Sequence, residues 1–177
     1  SINTIVQHIA DSILLGSEQI EATELVFDRQ HVTHSTGDMP TWFTRRESEP
    51  IEKSHISHMV TDGSWEMAVS RVLDGDQGVG KYVESWVKND HLGFEIPYMW
   101  NGTLRRYIPD FLIQLNNEVK LVLEVKGLDS PQNQRKRKFL DEWVKAVNAD
   151  GRFGTWAWDV LFDPSELDNI ILKHSGN

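Results

Sequence analysis

The apolar positions of the chain change their spacing several times, and each change marks a boundary. Over residues 3–27 they fall at Ile5, Ile9, Ile13 and Leu14, then at Ile20, Leu25 and Val26. That is a helical spacing, fair in the first half and weaker beyond Gly16-Ser17. Residues 28–62 turn polar, with Pro40, Pro50 and several Ser and Thr, and read as an extended connector with room for one short strand. Ser64 stands where an N-cap would, before a helix that carries Trp65, Ala68, Val69 and Val72 and ends near Leu73. Residues 75–80 interrupt it, and Tyr82, Val83, Trp86 and Val87 resume a helical spacing.

From residue 94 onward the spacing shortens to that of strands. Residues 94–99 and 104–115 predict two strands around an Asn101-Gly102 turn, a strong hairpin signal. Residues 119–126 predict a third, joined to the second by a tight connection at Asn116-Asn117. Ser130-Pro131 supplies a cap and a proline for the first helical position, opening a helix through Phe139, Leu140, Trp143, Val144 and Val147 to a stop near Gly151. Residues 155–162 predict a fourth strand and residues 164–174 a last helix. The expectation is an α/β domain over residues 61–177, preceded by a helical and extended appendage over residues 1–60.

Composition narrows the class. A chain of 177 residues with 39% hydrophobic content, seven Trp and seven Phe can bury one core. No run approaches the ~20 apolar residues that cross a bilayer, and the stretch 2–15 is broken by Gln7, His8 and Asp11. A soluble, cytoplasmic protein with no membrane partner is expected. The absence of cysteine excludes disulfides and thiolate metal sites. A net charge of −9 speaks against a tight binder of polyanions, yet four of the five residues 134–138 are basic and Arg105-Arg106 form a second basic pair.

Two strand-like runs carry residues that apolar packing does not explain. Asp110 sits near the start of Phe111-Leu112-Ile113, and Glu124 and Lys126 interrupt the run that begins at Leu121. With a side-chain period of two, Glu124 and Lys126 share one face and Leu123 and Val125 the other. Charges in buried strands are costly unless they are paired or bind a cation.

Pro109-Asp110 followed by Glu124-Val125-Lys126 resembles the signature of the PD-(D/E)XK nucleases. The neighbouring text is similar to the C-terminal endonuclease domain of type III restriction enzyme cleavage subunits, through Lys53-Ser54-His55, Ser64-Trp65-Glu66, Val87-Lys88-Asn89, the stretch from Leu92 to Tyr98, and the stretch from Trp143 to Asn148. The resemblance covers residues 53–155. It implies a restriction-endonuclease-like core, in which a central mixed four-stranded sheet is flanked by helices in the order αβββαβ. It also implies a Mg²⁺-dependent DNA endonuclease domain, with Mn²⁺ able to substitute. Asp110, Glu124 and the Val125 carbonyl would hold the metal, and Lys126 would orient the attacking water or stabilise developing charge. A further acid from the first helix is expected, and Glu66 fits the phrase better than Glu84. Arg105, Arg106, Arg135 and Lys138 are candidates for contacts to double-stranded DNA. The helicase motor of such systems is absent from this chain, recognition would belong to a separate modification subunit, and the isolated domain is expected to be monomeric.

Other readings compete. A nuclease-like fold could serve as a DNA-binding or subunit-docking module without cutting, and Glu124 with Lys126 could be a plain salt bridge. Glu95, alternating with Phe94 and Ile96, reads as a polar position on a half-buried strand. The stretch 75–81 superficially matches a nucleotide-binding loop, but Tyr82 stands where Ser or Thr must reach magnesium and no apolar strand precedes it. His31 with His34 and His55 with His58 have spacing compatible with zinc but lack the remaining ligands.

Overall fold

The computed structural model describes residues 39–54, 56–60 and 63–176. The helical spacing over residues 3–27, together with His31, His34 and His55, lies outside these. Two short strands, β1 (Ser48–Pro50) and β2 (His58–Val60), form an antiparallel pair ahead of α1 (Ser64–Asp74). A 3₁₀ turn (Gly78–Tyr82) leads into β3 (Val83–Lys88), and the hairpin β4 (Ile96–Trp100) and β5 (Thr103–Tyr107) follows. Then come β6 (Phe111–Leu115), β7 (Lys120–Val125), α2 (Pro131–Asp150), β8 (Trp156–Leu161), a 3₁₀ turn (Pro164–Glu166) and α3 (Leu167–Ser175).

The main sheet has the order β3-β6-β7-β8. β3, β6 and β7 run as an antiparallel meander, and β8 pairs parallel to β7 after the crossover through α2. The protein is therefore an α/β chain with a mixed four-stranded sheet and three α-helices among the described residues.

Alternation along the strands builds two apolar layers. Phe111, Ile113, Leu115, Leu121 and Leu123 point to one face, where Val69 and Leu73 of α1 and Leu167, Ile170 and Ile171 near or in α3 cover them. Val122 and Leu112 point to the other face, against Leu140 and Val144 of α2 and Ile96, Tyr98 and Tyr107 of the hairpin. Each such side chain removed from water contributes ~1.5–3 kcal/mol. β2 and the segment before it belong to this body, since Met59 joins the first layer. The Lys53 ammonium donates to the Gly75 and Gly80 carbonyls at 2.7 and 2.9 Å, and Asp74 accepts from the Lys53 N–H at 2.9 Å and the Trp86 indole at 3.1 Å.

Local signals at the ends of elements hold in several places. Ser130 Oγ accepts from the Asn133 N–H at 3.2 Å to cap α2, and Gly151 closes that helix with φ 73°. Asn101 and Gly102 both take positive φ, 49° and 73°, in the turn between β4 and β5. At α1 the cap position falls to Gly63, with no side-chain capping bond, and Ser64 is the first helical residue.

Two expectations are corrected. Residues 82–87 do not resume a helix, because β3 starts at Val83 and is the first strand of the main sheet. The register with β6 shifts between Val83 and Ser85, which leaves Glu84 as an extra residue. That bulge places Val83 and Trp86 three apart on one face and so imitates a helical spacing. Residues 104–115 are not one strand either. Pro109, which has no N–H and constrains Ile108, separates β5 from β6, and β4 and β5 pair only with each other.

The glycine-rich stretch 75–81 is packed rather than open. A Cβ on Gly80 would lie 2.2 Å from the Gly75 carbonyl oxygen and 2.4 Å from that of Val72, so this glycine answers a close backbone approach. Its carbonyls face the Lys53 ammonium, the reverse of the N–H cradle that a phosphate needs.

Candidate active site at the end of the sheet

β6 begins one residue after Asp110, and β7 ends one residue after Glu124. The register pairs Phe111 with Leu123, so one further step sets Asp110 across from Glu124 at the end of the ladder. Asp110 Oδ2 accepts from the Val125 N–H at 2.7 Å, which ties the first acid to the backbone beside the second. Lys126 follows directly, and its own N–H donates to the Leu161 carbonyl of β8 at 2.9 Å. The structure thus brings Asp110, Glu124, Val125 and Lys126 together.

Glu124 is almost fully buried, at 3% exposure. Its carboxylate accepts from the Tyr107 hydroxyl at 2.7 Å through Oε2, and meets the Lys126 ammonium at 2.8 Å through Oε1. Burial and the Glu124 charge push the Tyr107 phenol upward, so it remains a proton donor at neutral pH. Burial works against the charged form of Lys126, but the hydrogen bond to Glu124 and the charges of Glu124, Asp110 and Glu66 outweigh it and raise its pKa. A lysine in that state is an ammonium donor and not a base. Burial, then the neighbouring Glu124 charge, raise the Asp110 carboxyl to about 7, and Glu66 adds to the rise.

Glu66 stands in the first turn of α1, close enough to act electrostatically on both Asp110 and Lys126. Its Oε2 meets the Lys88 ammonium at 2.7 Å. Glu84 lies on β3 in the part that pairs near Leu115, at the opposite end of the sheet, and is exposed. Of the two competing acids, Glu66 is therefore the one at the site.

The basic candidates divide. Arg105 and Arg106 are exposed on β5, and Arg106 pairs with Glu95 at 2.9 Å. Arg135 turns toward the hairpin, where its Nε donates to the Met99 carbonyl at 3.3 Å and its guanidinium lies 5.3 Å from the centre of the Phe139 ring. Lys138 is half-buried on α2. The two intervening cations lie nearer Tyr107 instead. Lys136 Nζ lies 5.4 Å from the centre of the Tyr107 ring, and the Arg137 charge acts on both Tyr107 and Glu124. Arg137 is also clamped by Asp129 through bonds of 2.9 and 2.7 Å, which hold Asp129 below the usual carboxylate range.

Sequence reasoning passed over the residues that hold the acids in place. Tyr107 reads as one more apolar strand position. Asn89, 7% exposed, receives no role from pattern alone, yet its Nδ2 donates to the Phe94 and Pro109 carbonyls and its N–H to the Asp110 carbonyl. Both Lys88 and Asn89 fall within a phrase of the family resemblance, which was the one available signal for them.

A divalent cation is a fitting partner for the donors present. Magnesium takes hard oxygen ligands and keeps several waters, so two carboxylates and a carbonyl suffice. Burial first, and then the charges of Glu124 and Glu66, raise Asp110 despite the nearby Lys126, and a bound cation would relieve both costs. Among the described residues no three His, Asp or Glu side chains form a complete cage. One oxygen of Glu66, the third acid, is held in an ion pair with Lys88. A cavity lined by Val87, Leu112, Gln114, Lys120 and Trp156 opens over β3 and β6 and includes none of these acids.

No helix among the described residues is long and apolar enough to cross a membrane. Comparison with protein-family models, with curated proteins and with solved structures gives no match to this chain.

Proposed function

We propose that the chain is a metal-dependent DNA endonuclease domain of the PD-(D/E)XK type, similar to the nuclease domain of type III restriction cleavage subunits. The observation that carries the reading is the meeting of Asp110, Glu124 and Lys126 at one sheet end. The order helix, three sheet strands, helix, strand supports it, since that is the core order the resemblance implies. The β4–β5 hairpin is then an insertion between the first and second core strands.

In this reading Asp110, Glu124 and the Val125 carbonyl hold one divalent cation, Mg²⁺ or Mn²⁺. The ion would supply Lewis-acid polarisation of the scissile phosphate and a more acidic bound water. The protein's part is positioning. The Val125 N–H fixes one oxygen of Asp110 and leaves the other without a protein partner among the described residues. Tyr107 fixes Glu124 from behind. Lys126, as an ammonium, donates to the attacking water or to the phosphoryl oxygens and stabilises the charge that grows there. Lys136 and Arg137 bring positive charge toward the same end of the sheet and would meet the phosphate backbone of duplex DNA.

Nicking of supercoiled plasmid with Mg²⁺ or Mn²⁺ tests the proposal, with Asp110→Ala beside the wild type. The wild type should cut and the variant should not. A wild-type chain that binds DNA and cuts nothing with either metal would favour the alternative, a nuclease-like module used for DNA binding or docking. The partners expected of an active form are duplex DNA, a helicase motor and a modification subunit carried on other chains or segments.

A further inference from the structure

Lys88 ends β3 with its side chain turned inward, at 9% exposure. Its ammonium lies 2.7 Å from Glu66 Oε2 and donates to the Val60 carbonyl at 3.2 Å. No other cation among the described residues comes within ion-pair distance of Glu66. The three acids at the sheet end are therefore committed in different ways. Asp110 leans on a backbone N–H. Glu124 is shared between Tyr107 and Lys126. Glu66 is paired with a lysine sunk in the protein, and pulling the carboxylate away would cost the attraction between two poorly hydrated charges.

Resting on the proposed metal site, we infer that Lys88 is a positioning residue that fixes the number of ions: it keeps Glu66 out of the ligand set, so the site takes one divalent cation at Asp110 and Glu124. The charge balance leads the same way. Three carboxylates against two ammonium groups leave a single negative charge, which one divalent ion more than offsets. A second ion would enter a cluster already positive, at a Coulomb cost that a half-buried site screens poorly. Without Lys88, Glu66 becomes an available carboxylate and the cluster gains one negative charge.

The test is titration of the metal-free chain with MnCl₂, following heat and the electron paramagnetic resonance of free Mn²⁺. The wild type should take up one ion. Glu66→Gln should keep that one ion, because Glu66 is not a ligand, but hold it up to about tenfold more weakly, because the cluster loses one negative charge. Lys88→Met should bind a second ion, or the first at least about tenfold more tightly, and Lys88→Arg should match the wild type. The double variant Lys88→Met with Glu66→Gln should return to one ion, and it decides the matter if Lys88→Met alone does not fold. Two ions in the wild type, or loss of binding in Glu66→Gln, would overturn the role of Lys88 and leave the metal site standing. A wild-type chain that takes up no Mn²⁺ removes both.

Discussion

Asp110→Asn separates a carboxylate held for a cation from one held for structure. Burial, with Glu124 beside it, raises the Asp110 carboxyl to about 7, against ~3.9 for an aspartate in an unfolded chain. Between those values the folded protein keeps a proton that the unfolded chain has released. Stability therefore falls as pH rises through the interval, and the full loss is reached above about pH 7. A gap of about three in pKa, at ~1.4 kcal/mol for each, sets an upper bound of ~4 kcal/mol. The true loss is smaller to the extent that Glu124 shares the same proton equilibrium. Asn removes the charge while its oxygen can still accept from the Val125 N–H. The assay is urea unfolding in EDTA at pH 5 and pH 8, wild type beside variant. The wild type should lose up to ~2.5 kcal/mol more than Asp110→Asn between pH 5 and pH 8, the rest of the bound having already been lost below pH 5. Asp129, Asp141, Asp159 and Asp163 lie below the usual carboxylate range, so their stabilisation is already complete at pH 5 and is lost only as pH falls further. Histidine titration is common to both chains and cancels in the difference. Adding Mg²⁺ at pH 8 should restore the wild type by RT ln(1 + [Mg²⁺]/Kd) and leave the variant unmoved. A variant that loses as much as the wild type, or is the weaker of the two at pH 8, refutes the account of Asp110.

Three further outcomes follow from the same geometry. Lys126→Ala strands the buried Glu124 carboxylate and should cost ~3–5 kcal/mol without metal, while Mn²⁺ titration shows binding retained or tightened and plasmid nicking is lost; nicking at the wild-type rate would end the catalytic role of Lys126. Asn89→Ala leaves the Phe94 and Pro109 carbonyls without their donor and should lower stability by ~1–3 kcal/mol in urea unfolding. Lys136→Ala should weaken DNA binding and reduce the slope of log affinity against log salt by about one, whereas Arg135→Ala leaves the slope unchanged, because Arg135 is spent on the hairpin.

The fold was legible wherever one local rule acted alone. α2 announced itself through Ser130, Pro131 and Gly151, and the β4–β5 hairpin through Asn101-Gly102, because caps and turns depend on a few adjacent residues. β3 was misread because a bulge at Glu84 changed the apolar spacing from two to three, and a bulge is a property of two paired strands. The break between β5 and β6 was written in Pro109. It was overridden by the continuous apolar run on either side, which pattern alone cannot divide between two sheets.

The candidate site shows a similar division, with a physical reason behind it. Asp110, Glu124 and Lys126 could be found because charges in or beside apolar strand-like runs are conspicuous against their neighbours. What orients them could not, because each anchor meets its acid only through the fold. Tyr107 sits 17 residues from Glu124 and on a different sheet, and Lys88 reaches Glu66 from β3 across the start of α1. The two anchors differ in kind. A phenol adds a hydrogen bond to Glu124 and no charge, so it directs the carboxylate while leaving it able to bind a cation. A lysine sets a full opposite charge against Glu66. Tyr107→Phe, which keeps the ring and removes only the donor, isolates the first of these. It should leave the fold intact, lower stability by ~1–3 kcal/mol, and weaken Mn²⁺ binding by freeing Glu124 to rotate toward Lys126. Unchanged Mn²⁺ affinity in a folded Tyr107→Phe chain would mean that Lys126 and the strand alone orient Glu124, and that the phenol serves packing.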